Sequence, residues 1–139
     1  CIRDRGNPVR VVLDKSIRIP KSYNLYDLSQ KTVFITGRND VTSKDNNLIF
    51  ETIDFNKNVP KQISELLFKH EIQSLIIEGG AKTIQSFIDA NLWDEAFVFT
   101  GSVLFGKGLV SPELKERPEK SKNIQGDILN IYQNNEIKL

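Results

Sequence analysis

Methionine is absent from all 139 residues, and cysteine, histidine and tryptophan occur once each. A lone cysteine, Cys1, excludes an internal disulfide, and one cysteine with one histidine excludes the multi-ligand Cys/His zinc sites. A Ser-His-Asp mechanism would have to rest on His70 alone. Charge imbalance is also scarce: 19 Lys and Arg against 18 Asp and Glu leave +1, too little to point to nucleic acid or an anionic membrane as partner. Unbroken apolar runs are a few residues long, far short of the roughly 20 that cross a bilayer. No charged-then-apolar leader opens the chain. These shortages lead us to expect a soluble, cytoplasmic protein with no metal site. The missing methionine leaves two readings of the N-terminus, a trimmed chain or the C-terminal piece of a longer one.

What is present suits one globular domain over residues 1–139, with 39% hydrophobic and 27% charged residues. Pro8–Asp14, Thr32–Gly37 and Leu48–Phe55 read as three strands, β-branched and apolar between turn-rich segments. The period then changes. Ile63, Leu66, Leu67 and His70 recur at helical spacing, and Pro60 suits a first helical turn. Ser74–Glu78 returns to strand. Ala81–Asn91 is helical, with Ile84, Phe87 and Ile88 on one face and Asn91 as its stop. Asp94–Gly106 reads as a strand, Ser111–Lys122 as an exposed, charged, Pro-broken loop, and Gly126–Leu139 as closing strand with an Asn-Asn turn. The expected order is β-β-β-α-β-α-β-β, an α/β fold with right-handed crossovers and a mostly parallel, mixed sheet flanked by helices.

The stretch SLIIEGGAKTIQSF, Ser74–Phe87, concentrates the chemistry. A strand that ends in Gly-Gly and opens a helix presents bare backbone N–H groups at the positive end of the helix dipole. It does so at the carboxyl end of a strand, where open α/β sheets bind ligands. Lys82 in the first helical turn opposes that dipole and is better understood with an anion nearby. Two readings stay open: Gly79 and Gly80 cradle a phosphate, or they only permit a tight corner. Glu78, at the end of an apolar run, needs a partner if it is buried, either backbone donors or the amino and hydroxyl groups of a polar ligand.

LIIEGGAKTIQSFIDANLWDEAFVFTGSVLFGKG resembles the C-terminal reductase domain of the bifunctional riboflavin-pathway deaminase/reductase family. NPVRVVLDKSIRIP and TVFIT resemble earlier strands of that domain, in the same order. The resemblance implies a three-layer, dihydrofolate-reductase-like fold. It also implies NADPH-dependent reduction of the ribosyl group of 5-amino-6-(5-phosphoribosylamino)uracil to the ribityl form. By that likeness Gly79, Gly80, Ala81, Lys82, Thr83, Ile84, Gln85 and Ser86 hold the cofactor's diphosphate, and Glu78 contacts the substrate. Lys15 and Ser16 lie against the cofactor, and Thr36 and Arg38 face its 2′-phosphate, for which a fork-shaped arginine is suited. A homodimer is implied as well. The family's first reductase strand and helix are not matched, nor is the deaminase's zinc motif, so the chain resembles the nucleotide-binding portion of a reductase. No catalytic residue is assigned.

Bland roles are expected elsewhere. His70 reads as a packed, helix-ending histidine. Trp93, Phe97, Phe99 and Phe105 read as core or strand-face residues, Cys1 as a free thiol, and Gly106 and Gly108 as a turn. Asp14 either orients a ligand hydroxyl or caps the following turn. Two rivals stand beside the reductase: another pterin or pyrimidine reductase of the same fold, and a catalytically inert assembly module.

Overall fold

The computed structural model describes residues 8–104 and 106–136, and the chain divides into two compact units, residues 1–67 and 68–139. The roles expected for Cys1 and Phe105 fall outside the described residues.

The first unit is built on a parallel sheet of β1 (Arg10–Leu13), β2 (Thr32–Thr36) and β3 (Leu48–Thr52), in that spatial order. All five residues of β2 are buried, with Val33, Phe34 and Ile35 fully so. A strand covered on both faces has no need for polar alternation, and for this reason TVFIT reads as a nearly continuous apolar run. Val12, Phe34 and Phe50 lie side by side across the three strands. The Phe34 ring stacks on Phe50 with centroids 5.3 Å apart and on Tyr26 at 4.7 Å. Tyr26 comes from a short 3₁₀ turn, Asn24–Tyr26, in the connection between β1 and β2.

Arg10 fastens that connection. Its guanidinium donates to Thr32 Oγ1 (3.0 Å), the Asn24 carbonyl (2.8 Å) and Asp27 Oδ1 (2.8 Å). Asp27 also accepts from the Ser29 hydroxyl and amide. These bonds, that from Arg10 foremost, hold the Asp27 carboxyl at about 2 against an ordinary 3.8. Because the folded value is depressed, the unfolded chain binds more protons between pH 4 and 2, so this contribution is present above pH 4 and lost as pH falls through 2. Asp27→Asn should therefore lower the urea midpoint at pH 6, and the gap to the native chain should close as pH falls from 4 to 2. Circular dichroism across that window checks it.

Helix α1 (Val59–Lys69) follows β3 and runs two residues past the unit boundary. Asn58 caps it, its Oδ1 accepting from the Lys61 amide at 3.0 Å. Pro60 sits in the first turn as expected, where the missing N–H would have no helical partner. Pro60, Ile63 and Leu67 are its buried residues, one face at helical spacing. His70, half-buried, comes just after the last helical residue.

The second unit holds α2 (Ala81–Asp89) and an antiparallel sheet of β4 (Glu95–Thr100), β5 (Lys120–Ile124) and β6 (Asp127–Gln133), in spatial order β4-β6-β5. The end of α2 bears out Asn91 as its stop. Asn91 adopts φ 52°, its amide bonds to the Ile88 carbonyl and that of Leu92 to the Phe87 carbonyl, the paired bonds of a Schellman motif. The Asn134 side chain then ties this end to the end of β6, donating to Asn91 Oδ1 (2.7 Å) and the Trp93 carbonyl (2.8 Å).

Three expectations are corrected here. Ser74–Glu78 is not a strand: neither sheet contains it, and Leu75 and Ile76 are 38% and 86% exposed. A strand is a pairing state, and among the described residues none pairs with this run, so its apolar sequence alone does not order it. The strand expected over Asp94–Gly106 ends at Thr100. And the charged loop expected over Ser111–Lys122 ends early, because Lys120–Lys122 begin β5. The hairpin that recruits them turns on Gln125 and Gly126, both at positive φ (54° and 100°), which matches the twist of the paired strands. Phe97 and Phe99 do lie on a strand face, but 57% and 64% exposed. Among the described residues no helix is long and apolar enough to cross a membrane.

Candidate functional site

The candidate residues fall into two groups, one in each unit. In the first unit they gather where β1 and β2 end. The Lys15 carbonyl accepts from both the Gly37 amide (2.9 Å) and the Thr36 hydroxyl (3.0 Å), which draws the segment after β1 against the segment after β2. Lys15, Ser16 and Arg38 are exposed there, while Thr36 is wholly buried. The Thr36 hydroxyl also accepts from the Arg38 amide (3.2 Å), so this side chain holds the turn. The Lys15 ammonium lies 5.5 Å from the centroid of the Phe55 ring. This is the carboxyl end of a parallel sheet, where strands deliver loops rather than side-chain ladders.

Arg38 carries the strongest electrostatic feature of the group. Its Nε and Nη2 pair side by side with Oδ1 (2.8 Å) and Oδ2 (2.5 Å) of Asp40. Each partner steadies the other's charge. The guanidinium bond holds the Asp40 carboxyl below the usual carboxylate range, and the carboxylate raises the Arg38 pKa further. Sequence reasoning passed over Asp40, although an arginine two residues before an acid at a strand end was there to be read.

Asp14 settles between its two expected roles. It is 5% exposed, and its Oδ2 accepts from the amides of Arg18 (2.7 Å) and Ile19 (2.9 Å), so it caps the turn after β1. An open cleft of about 390 Å³ lies beside it, lined by Leu13, Arg18, Ile19, Pro20 and Tyr23.

In the second unit the Gly79–Gly80 corner opens α2. Both glycines lie at positive φ, 74° and 66°, and Gly80 is the N-cap of α2. No side chain caps the helix, and a Cβ at Gly79 would meet nothing within 4 Å. The corner is therefore shaped by backbone and open above it, and an anion could reach the first-turn amides. Lys82 is exposed in that first turn. Thr83 and Ile84 bond through their amides to the Gly80 carbonyl, and Ser86 donates to the Thr83 carbonyl at 2.7 Å. Gln85 faces elsewhere: its Oε1 accepts from the Glu113 amide at 2.8 Å and its Nε2 donates to Asp89. Glu78 is exposed, so the pairing expected of it on burial is not forced. The reason is the same unpaired run that precedes it.

These features define a dihydrofolate-reductase-like α/β protein, with a parallel sheet and a glycine corner that opens a helix. Within that class the chain belongs to the RibD C-terminal domain family, whose model matches residues 3–130. It is 28% identical over 146 residues to the riboflavin biosynthesis protein RibD of Aquifex aeolicus (strain VF5), covering 90% of this chain and 38% of that protein. It is also 28% identical over 104 residues to the 2,5-diamino-6-ribosylamino-4(3H)-pyrimidinone 5′-phosphate reductase of Archaeoglobus fulgidus, covering 72% of this chain and 48% of that one. A solved deaminase/5-amino-6-(5-phosphoribosylamino)uracil reductase from Thermotoga maritima shares the fold. Its TM-score is 0.75 at 22% identity, over 95% of this chain and 39% of that one. The chain thus spans less than half the length of these relatives.

Proposed function

We propose that this chain is the nucleotide-binding portion of an NADPH-dependent reductase of riboflavin biosynthesis, acting on a phosphoribosylaminopyrimidine of the 5-amino-6-(5-phosphoribosylamino)uracil type. The product would carry the ribityl chain in place of the ribosyl group. The observation that carries the reading is the open, backbone-built corner at Gly79–Gly80, within a chain matched to the RibD C-terminal domain over residues 3–130.

NADPH, when bound, supplies the hydride; the chain's own residues bind and orient it. The amides from Gly79 to Lys82 would take the diphosphate, with Lys82 adding positive charge and Thr83, Ile84, Gln85 and Ser86 building the turn beneath. Lys15 and Ser16 would lie along the cofactor. Arg38 would meet the 2′-phosphate, on a turn that Thr36 holds in place. Glu78, exposed beside the corner, would accept from the substrate's amino or hydroxyl groups. The working protein would be a cytoplasmic homodimer.

Titrating the chain with NADPH should show saturable binding, and the NADPH complex should bind a phosphoribosylaminopyrimidine in preference to a pterin. A dissociation constant weaker than about 1 mM would favour a second reading, an assembly module. One observation leans that way: Val103, Leu104, Leu109 and Val110 are all largely exposed.

A further inference from the structure

Arg38 is the cation that the reading above assigns to the 2′-phosphate, yet its fork is already filled. The two donors that face Asp40, Nε and Nη2, are those a phosphate would engage bidentately. Both side chains are exposed, 48% for Arg38 and 60% for Asp40. A pair this exposed is weak, so a dianionic phosphate can displace it. The backbone beneath does not have to move: the Arg38 amide bonds to Thr36 Oγ1, and the Arg38 carbonyl accepts from the Thr52 hydroxyl at 2.8 Å. Exchange is then a matter of side-chain rotation.

We infer that Asp40 is a specificity-determining residue that competes with the cofactor's 2′-phosphate for Arg38, an inference that rests on the assignment of Arg38 to the nucleotide. A 2′-phosphate must displace the carboxylate and then sit beside it as a like charge. A 2′-hydroxyl meets neither penalty and can donate to the carboxylate. Asp40 thus narrows the preference for NADPH over NADH below what Arg38 alone would give. Its carboxyl titrates below the usual range, so the competition operates throughout the neutral region.

The test is calorimetric titration of the full chain with NADPH and with NADH, for the native protein, Asp40→Asn, Arg38→Ala and the double variant. Both positions are exposed, so the fold should tolerate each change. Asp40→Asn should tighten NADPH roughly two- to fivefold, leave NADH no tighter than in the native chain and steepen the salt dependence of NADPH binding. The gain should vanish in the Arg38→Ala background. If Arg38→Ala weakens NADPH but Asp40→Asn changes nothing, or shifts both nucleotides equally, the competition is overturned and the assignment of Arg38 stands. If Arg38→Ala leaves NADPH affinity untouched, the assignment falls and the competition with it.

Discussion

Gly80→Val should abolish NADPH binding, raising the dissociation constant at least about 100-fold. The size of the effect comes from the donors at the corner. A diphosphate at the N-terminus of α2 would accept two or more backbone hydrogen bonds, and bonds to a charged group contribute about 1.5–3 kcal/mol each. Losing two of the weaker kind is already about 3 kcal/mol, a factor above 100. Valine removes them in two ways. Gly80 sits at φ 66°, where a β-branched residue is strained by about 1–3 kcal/mol, so the corner will shift. If it does not shift, a Cβ there lies 3.5 Å from Thr83 Oγ1, and the methyls beyond it cover the amides of the first turn. Gly79→Ala is the control. Its Cβ meets nothing within 4 Å at φ 74°, so it should strain the backbone while leaving the approach open. Gly79→Ala is therefore expected to lower the unfolding midpoint yet keep NADPH binding within about tenfold. Native binding by Gly80→Val, with helix content intact by circular dichroism, would remove the diphosphate from this corner.

The corner was legible in the sequence because its requirement is local. Glycine is the residue that adopts positive φ freely, and an apolar helical face with an asparagine stop defines the helix it opens. The same holds for TVFIT, whose β-branched, nearly continuous apolar run reads as a strand. What could not be read depends on partners distant in the chain. Leu75, Ile76 and Ile77 have strand composition, but strand formation is decided by a neighbour, and composition says nothing about that. Lys120–Ile124 has the opposite character, largely polar, and becomes a strand because the Gln125–Gly126 turn folds it onto β6. Arg10 joins residues 14 to 22 positions away, a clamp that no short-range pattern announces. Asp14 had two open roles, and only the folded turn shows that its carboxylate caps two amides. Asp40 differs from all of these: the signal was local, two residues from Arg38, but an acid beside an arginine proposed to meet a phosphate is not what the chemistry leads one to look for.

The phenylalanines make a final, quantitative case, since composition treats them alike and the fold does not. Phe34→Ala should cost about 3–5 kcal/mol of stability. Its side chain is fully buried in the central strand of the parallel sheet, between Tyr26 at 4.7 Å and Phe50 at 5.3 Å. Removing the ring leaves a cavity bordered by two aromatic faces and by strands whose pairing keeps them from collapsing inward. Against a total stability of about 5–15 kcal/mol, that loss threatens the whole parallel sheet. Phe97→Ala, on the exposed face of β4, should change stability by less than about 1 kcal/mol. Urea denaturation of the two variants tests the pair directly. The functional consequence comes from position: Thr36 and Arg38 lie two and four residues beyond Phe34, and the turn they form is anchored to the end of the same strand through Thr36 and to the end of β3 through Thr52. Under mild urea, Phe34→Ala should therefore lose NADPH binding at a concentration that Phe97→Ala withstands. Equal sensitivity of the two variants would mean that β2 does not support the nucleotide's 2′-phosphate end.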